Sequence, residues 1–195
     1  TPGEVVGFLR EFHARLEHCV FEYGDTLDKF LGDGIMALFP GNSNAAVDGA
    51  IAMQRAMKAL EHTIESDQLS LKMGIGIHYG HLELGVVGET YRWDSSIIAD
   101  AVNTASRVEG LTKTFGAEIL VTDAVIDALE NHAKFRYRRL GMVGVKGRSE
   151  KVSLYEILDS LPKETLDIRY ASRELFERAL TAYEDHQADD ARQLF

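Results

Sequence analysis

Three short segments of the chain carry side chains of the kind that handle phosphates and metal ions. The first is LGDGI, where Asp33 stands between two glycines with a β-like run on either side, which predicts a hairpin with a carboxylate at its tip. A carboxylate placed there can reach a divalent ion that is also bound to phosphates. Gly-Asp-Gly is also ordinary turn chemistry, so the hairpin alone is compatible with a residue that only shapes the turn.

The second and third segments supply cations and an amide. In DAVNTASRVEGLTK, Asn103 and Arg107 lie four residues apart in a predicted helix and therefore share a face. The planar guanidinium of arginine donates several hydrogen bonds to phosphate oxygens and keeps its charge at neutral pH. In VGVKGRSEKVSLYEIL, Lys146 lies in a glycine-containing turn between two predicted strands. A solvated arginine and a turn lysine are common, so neither segment is diagnostic alone.

The elements that must position these residues are a mixture of helices and strands. The pattern predicts helices over about residues 1–24, 42–60 and 98–113 and a further helix in DAVIDALE. It predicts strands in TLDKFL, IMALF, LSLKMGIGIHYG, LELGVVG and EILVT. A closing hairpin is predicted around VKGRSE. After about residue 161 the strand patterns end and helices are predicted, with a break near Asp185 and His186. This last part is similar to half of a tetratricopeptide unit, and a plain helical cap is the alternative.

Composition limits the class of protein. The 195 residues are 45% hydrophobic and 27% charged, which suits one α/β domain with a short appendage. No apolar run reaches the roughly 18 residues of a membrane-spanning helix. The net charge of −10 argues against non-specific nucleic-acid binding but not against a nucleotide substrate. The single cysteine, Cys19, is predicted to be a buried structural thiol, which suits a reducing cytoplasm.

Four segments together resemble the class III nucleotidyl cyclase family and follow one another in that family's order. They are DKFLGDGIMALF, GIGIHYG with LGVVGE, DAVNTASRVEGLTK, and VGVKGRSEKVSLYEIL. The resemblance covers about residues 1–158 and is greatest to bacterial adenylate cyclases. It implies an α/β (α+β), ferredoxin-like fold with a mostly antiparallel sheet and helices, followed by a C-terminal helical extension over 159–195. The implied reaction converts ATP into 3′,5′-cyclic AMP and pyrophosphate.

The resemblance also implies roles for the residues named above. Asp33 is implied to be one of two aspartates that hold two divalent metal ions, Mg²⁺ or Mn²⁺. Asn103 and Arg107 are implied to hold the ribose and to stabilise charge on the α-phosphate. Lys146 is implied to contact the terminal phosphates.

Two further positions are implied to read the base. Lys29 matches the position where lysine favours adenine and where guanylate cyclases carry glutamate. Ser96 matches its partner, where adenylate cyclases have aspartate or threonine and guanylate cyclases typically have cysteine. Serine retains a hydroxyl that can donate to adenine N1 or accept from the 6-amino group. Adenine is therefore the expected base, and guanylate cyclase activity is the alternative.

One expected segment is missing. The family's first metal aspartate lies on an opening strand with a pattern like F-x-D-[IL]-x-x-F-T, and the chain contains no such pattern. Either that strand lies upstream in a longer protein, the interpretation we favour, or the protein is a non-catalytic nucleotide-binding or dimerisation module. Because one sequence carries both halves of the family's active site, a head-to-tail homodimer is expected, with an upstream regulatory or sensor domain and a cytoplasmic location.

Overall fold

The chain folds into two compact units. The computed structural model describes residues 2–23, 26–61, 72–89, 92–98, 100–144 and 151–194. Unit 1 comprises Thr1–Met73 together with Leu129–His132, and unit 2 comprises Gly74–Ala128 together with Ala133–Phe195. The predicted site residues are therefore divided between the two units.

Unit 1 consists of two helices and one hairpin. Helix α1 spans Pro2–Glu22, strand β1 Thr26–Leu31, strand β2 Gly34–Leu38 and helix α2 Ser43–Glu61. Helix α2 begins where the side-chain oxygen of Asn42 accepts a 2.9 Å hydrogen bond from the backbone N–H of Ala45. Helices α1 and α2 pack together, and their buried side chains include Leu16, Cys19, Val20, Val47, Ala50 and Ile51. The unit thus has an apolar core of its own beside the hairpin.

The lone cysteine follows the sequence prediction. Cys19 is a buried free thiol on α1. Burial, assisted by the nearby carboxylate of Glu22, raises the pKa of this thiol above its ordinary value. The group is therefore a packing residue in its neutral form.

Unit 2 contains the larger sheet and most of the helices. Its strands are β3 Ile75–Ile77, β4 Glu83–Glu89, β5 Arg92–Ile98, β6 Ile119–Thr122, β7 Tyr137–Gly144 and β8 Lys151–Ile157. Its helices are α3 Asp100–Phe115, α4 Asp123–Asp127, α5 Lys163–Ala171, α6 Arg173–Glu184 and α7 Ala188–Leu194. None of the helices in the described part of the chain is both long and apolar enough to cross a membrane.

The four-stranded sheet of unit 2 has the order β3-β6-β8-β7. The β3–β6 pair is parallel, and the β6–β8 and β8–β7 pairs are antiparallel. Every residue of β6 is fully buried, as expected for an inner strand. Its Leu120 packs with Leu154 of the adjacent β8 and with Leu140 of β7 against Val108 of α3. With the antiparallel β1–β2 and β4–β5 hairpins, this arrangement confirms the predicted α+β fold class.

The structure departs from the predicted elements at three places. The sequence predicts no strand in RWDSSII, but β5 forms there because pairing with β4 outweighs the weak strand signal of its polar centre. The strand predicted in LSLKMGIGIHYG is limited to Ile75–Ile77, and its part within 62–71 lies outside the described residues. The helix predicted in DAVIDALE is limited to Asp123–Asp127, with Ala128 as its C-terminal cap.

The C-terminal residues form helices, with a break where the sequence predicts one. Helices α6 and α7 are separated at Asp185–Gln187, and His186 there adopts a left-handed backbone with φ 60°. Phe176 of α6 packs against the core cluster around Leu140 and Leu154. Helix α6 therefore contributes to the core of unit 2, while the domain boundary at 158/159 stays a prediction.

Candidate active site

Asp33 lies where the sequence predicts it, at the turn of the β1–β2 hairpin. The strands pair up to Leu31 and Gly34, which leaves Gly32 and Asp33 as the turn. Gly32 has φ 68°, a left-handed conformation that glycine adopts without strain. Asp33 itself is exposed to solvent. Its carboxylate is thus placed on a tight turn rather than in the core.

A histidine that the sequence does not single out anchors this turn. The Nε2 atom of His13 on α1 lies 3.3 Å from the backbone oxygen of Asp33. The same imidazole packs against the ring of Phe30, with 4.6 Å between ring centroids. The contact uses the backbone of Asp33 and does not occupy its carboxylate. No local pattern could have revealed it, since the two residues are 20 positions apart.

Lys29 lies on the same hairpin, opposite Met36 and next to an irregularity in the register between Leu27 and Lys29. It is half-buried. Because side chains alternate along a strand and Phe30 faces His13 of α1, Lys29 points to the other face of the hairpin. The hairpin therefore carries both the predicted base-reading lysine and the predicted metal ligand.

Asn103 and Arg107 share one side of helix α3, as the sequence predicts. The buried stripe of this helix comprises Ala101, Thr104, Val108 and Thr112. Asn103 and Arg107 each precede a residue of this stripe, so they lie about 100° away from it around the helix. Asn103 is exposed and Arg107 is partly buried. Both side chains are consequently at the border between core and solvent, where a ligand can reach them.

Two glycines, one in β3 and one just before it, allow α3 to approach the sheet closely. A Cβ on Gly76 would overlap the backbone of Glu109 and Ala105 in α3, and one on Gly74 would collide with Thr112. Any larger residue at these positions would push the helix away from the strand. The glycines of GIGIHYG therefore serve helix–sheet packing and so position the helix that carries Asn103 and Arg107.

At the C-terminal end of β3, His78 is satisfied by a hydrogen bond. Its Nδ1 lies 2.9 Å from the hydroxyl of Thr122, a fully buried residue at the end of β6. The two strands are parallel neighbours, so these residues meet at the same edge of the sheet.

Ser96 and Lys146 complete the set of predicted site residues. Ser96 lies on β5, where its backbone pairs with Gly85 of β4. Lys146 lies outside the described residues, in the 145–150 connection between β7 and β8. The roles of both residues stay predictions.

The described side chains offer one carboxylate that suits the implied metal ions. Mg²⁺ is usually held by one or two carboxylates together with substrate phosphates, and the exposed carboxylate of Asp33 fits one of those places. No group of three or more His, Cys, Asp or Glu residues within the described ranges could hold a metal ion alone. Whether Asp33 holds a metal ion stays a prediction.

Comparison with known proteins agrees with this geometry. Residues 1–159 match the family model described as the adenylate and guanylate cyclase catalytic domain. The chain is 42% identical over 163 residues to an adenylate cyclase of Anabaena cylindrica, covering 80% of the chain and 32% of that protein. It is 31% identical over 199 residues to the terminal-differentiation-specific adenylate cyclase of Dictyostelium discoideum, covering 98% of the chain and 9% of that protein.

A solved structure shows the same fold. The crystal structure of the adenylyl cyclase CyaB from P. aeruginosa is similar with a TM-score of 0.68 and 28% identity, covering 80% of this chain and 82% of that chain. The chain thus spans most of that crystallised domain but less than a third of the first two curated relatives' length, 32% and 9%.

Proposed function

Since the chain belongs to the family of adenylate and guanylate cyclase catalytic domains, we propose that it is the catalytic domain of an adenylate cyclase, which converts ATP into 3′,5′-cyclic AMP and pyrophosphate. The observation that carries the proposal is the β1–β2 hairpin, which holds Lys29 and the exposed Asp33 on one element. The resemblance of the relative from Anabaena cylindrica, named an adenylate cyclase, supports the same substrate.

The reaction is an in-line displacement. The ribose 3′-oxygen gives its proton to solvent water and forms a bond to the α-phosphorus, while the bond from that phosphorus to the bridging oxygen breaks and pyrophosphate leaves. Arg107 donates hydrogen bonds to the α-phosphate oxygens, where charge accumulates, and Asn103 orients the ribose. Removing such a donor from a preorganised site costs about 3–4 kcal/mol of transition-state stabilisation.

The other residues bind and orient the substrate. Lys146 balances charge on the terminal phosphates, and Asp33 holds a divalent ion against the triphosphate. Two divalent ions, when bound, supply charge neutralisation and make the 3′-hydroxyl more acidic. The second carboxylate is expected from the family's opening strand, upstream of the residues in this chain. Most of the catalytic effect then comes from positioning and electrostatics.

The active unit is a head-to-tail homodimer. In the family arrangement, Asp33 of one subunit faces Lys29, Ser96, Asn103, Arg107 and Lys146 of the other. Because each chain carries both sets, two equivalent sites form in a closed pair. The resemblance implies an upstream regulatory or sensor domain, and the chain covers 32% of its relative from Anabaena cylindrica. The cytoplasm, which holds the ATP, is the proposed location.

Base selection follows from hydrogen-bond polarity. Adenine presents an acceptor at N1 and a donor at its 6-amino group, whereas guanine presents a donor at N1 and an acceptor at O6. Lys29 can only donate and so suits adenine N1, while Ser96 can donate or accept. No carboxylate is placed at these two positions to accept from guanine N1 and its 2-amino group. Each guanine donor left unpaired should cost about 1–3 kcal/mol, so a clear but incomplete preference for ATP is expected.

Product identification tests the proposal and its alternatives. A form of the protein that includes the upstream strand is incubated with equal concentrations of ATP and GTP, with Mg²⁺ and separately with Mn²⁺, and the cyclic products are separated by chromatography. Cyclic AMP in excess is the expected result. Equal or greater cyclic GMP would indicate a guanylate cyclase, and no cyclic product with either metal would indicate a non-catalytic module.

A further inference from the structure

The imidazole of His13 is held in place by rings from two elements of unit 1. Its centroid lies 5.5 Å from that of Phe12 on the same helix and 4.6 Å from that of Phe30 on β1. Phe12 is only 7% exposed and stacks on Phe8, with 6.1 Å between the two centroids. The imidazole thus belongs to a row of rings that joins α1 to the β1–β2 hairpin, and its rotation would break these contacts.

The Nε2 atom of this ring meets the backbone of the turn. It lies 3.3 Å from the carbonyl oxygen of Asp33. A carbonyl oxygen only accepts hydrogen bonds, so Nε2 is the donor, a role that it has in one neutral tautomer of histidine and in the imidazolium. The bond holds the main chain of Asp33, and the carboxylate takes no part in it.

Helix α1 links this contact to the core of unit 1. The helix packs against both α2 and β1. Leu16, three residues after His13 and therefore on a neighbouring part of the helix surface, is 2% exposed, and Val20 is fully buried. His13 therefore connects the exposed turn to a helix that is fixed by buried side chains.

The turn itself has a backbone that many conformations suit. Gly32, with φ 68°, and Gly34 flank Asp33, and glycine restricts the backbone less than any other residue. A carboxylate on such a turn loses conformational entropy when it binds a ligand, unless the turn is already ordered. A contact that orders the turn beforehand removes that cost and so strengthens binding.

We propose that His13 is a positioning residue for the divalent ion that Asp33 is implied to hold. By fixing the carbonyl of Asp33, the imidazole preorganises the turn, so that the carboxylate can meet the ion without first ordering the chain. This rests on the proposed function, because the metal role of Asp33 is implied by the family. The proposal adds to the metal site a residue of α1 that lies outside the four segments that carry the resemblance.

The test is the binding of Mn²⁺ together with 3′-deoxy-ATP, which lacks the attacking hydroxyl and so cannot react. The complex is titrated by calorimetry into the form of the protein that includes the upstream strand. His13→Phe keeps a ring in the row and removes the N–H donor, and its Kd should rise about 3- to 10-fold, the size expected for one lost hydrogen bond. His13→Gln keeps an N–H donor and should stay within about twofold of wild type. His18→Phe, at an exposed position of the same helix, is the matched control and should leave the Kd unchanged.

A double-mutant cycle shows whether His13 acts through Asp33. In the Asp33→Asn background the carboxylate is gone, so His13→Phe should have no further effect on the Kd. Equal weakening in both backgrounds would mean that His13 acts by another route, which overturns the proposal. In turnover with ATP, His13→Phe should raise the Mn²⁺ concentration for half-maximal rate by about 3- to 10-fold, with kcat at saturating Mn²⁺ within about twofold of wild type.

A purely structural role predicts a different pattern. If His13 only stabilises the fold, His13→Phe lowers the fraction of protein that binds and leaves the Kd unchanged, which overturns the proposal. A Kd for His13→Gln as weak as that for His13→Phe, in a folded protein, also counts against the donor role. If His13→Phe does not fold, His13→Ala, which needs no additional space, takes its place with the same expected rise in Kd.

The outcome is separable from that of the proposed function, because calorimetry needs no turnover. A wild type that makes no cyclic AMP still supports the positioning role if His13→Phe weakens binding and the Asp33→Asn background abolishes that effect. A wild type that makes cyclic AMP but has the same Kd as His13→Phe keeps the proposed function and overturns the positioning role. A wild type that neither converts ATP nor binds Mn²⁺ with 3′-deoxy-ATP overturns both.

Discussion

The two hairpins at opposite ends of the chain, β1–β2 in unit 1 and β7–β8 in unit 2, are constructed in different ways. The first ends in a tight glycine turn that exposes Asp33, and a 3.3 Å contact from His13 to the backbone anchors that turn. The second is tied at its base by buried charges, with Glu156 between two arginines. A carboxylate thus occurs in both hairpins, once in solvent and once among cations in the core.

This difference predicts that the exposed carboxylate matters for binding and the buried carboxylate for the stability of the fold. An exposed turn carboxylate makes few contacts within the fold, so its replacement should leave the free energy of unfolding almost unchanged. A buried carboxylate between two guanidinium groups is part of the folded state, because losing it leaves cations that are poorly hydrated. The comparison therefore predicts that the same change, from acid to amide, leaves stability almost unchanged in the first hairpin and lowers it in the second.

The largest effect is expected for Asp33→Asn. The substitution should abolish metal-dependent formation of cyclic AMP, a fall of at least about 10³-fold, because the amide no longer neutralises a divalent ion at the triphosphate. The free energy of unfolding should change by no more than about 0.5 kcal/mol. Both are measured on the form that includes the upstream strand, by product chromatography and by urea unfolding.

Asp167→Asn, the same change at an exposed position of α5, serves as the control and should alter neither quantity. Mixing Asp33→Asn chains with Arg107→Ala chains should restore part of the activity, since one of the two sites in the mixed dimer keeps both residues. Near-normal turnover by a folded Asp33→Asn protein would refute the metal assignment.

A smaller effect, on stability rather than chemistry, is expected for Glu156→Gln. Arg138 and Arg169 would face a neutral amide, and the free energy of unfolding should fall by about 3 kcal/mol. This is the low end of the range for buried pairs, because Arg169 is 28% exposed and retains some hydration. Urea unfolding measures the change, and Glu164→Gln at an exposed position of α5 is the control. Equal stability of the two variants would show that the hairpin base does not depend on the charge of Glu156.

The smallest effect is expected for the stability of unit 2 at alkaline pH. Burial raises the pKa of Tyr155 above its usual value, against the opposing influence of Arg139, and its ring packs edge-on against Tyr137 with 5.9 Å between centroids. In the unfolded chain the hydroxyl of Tyr155 loses its proton near pH 10, while in the folded protein it retains that proton. The free energy of unfolding should therefore fall as pH rises above about 10.

Tyr155→Phe keeps the ring and removes the titrating group, so its stability should decline less steeply over that range. Urea unfolding between about pH 8 and 11 compares the two slopes. Parallel curves for wild type and Tyr155→Phe would mean that the folded state does not hold this proton more tightly than the unfolded chain.

The local elements of the candidate site are largely predictable from the sequence. Glycine-flanked Asp33 between two β-like runs predicts the hairpin and its exposed tip, and helical spacing predicts that Asn103 and Arg107 share a side of α3. The roles of these residues come from the order of four segments that resemble the cyclase family. All of these roles stay predictions, as do those assigned to Lys29, Ser96 and Lys146.

The sequence alone therefore determined the contacts made within one turn, one strand or one helix, because periodicity and turn chemistry act over a few residues. Only the tertiary structure decided that the polar segment RWDSSII pairs as β5, that His13 anchors Asp33, and that Arg139 meets Glu184 across 45 positions of the chain. The physical reason is that such contacts depend on how elements pack in space. A charged or polar residue that will be paired in the core has the same local pattern as one that will face solvent.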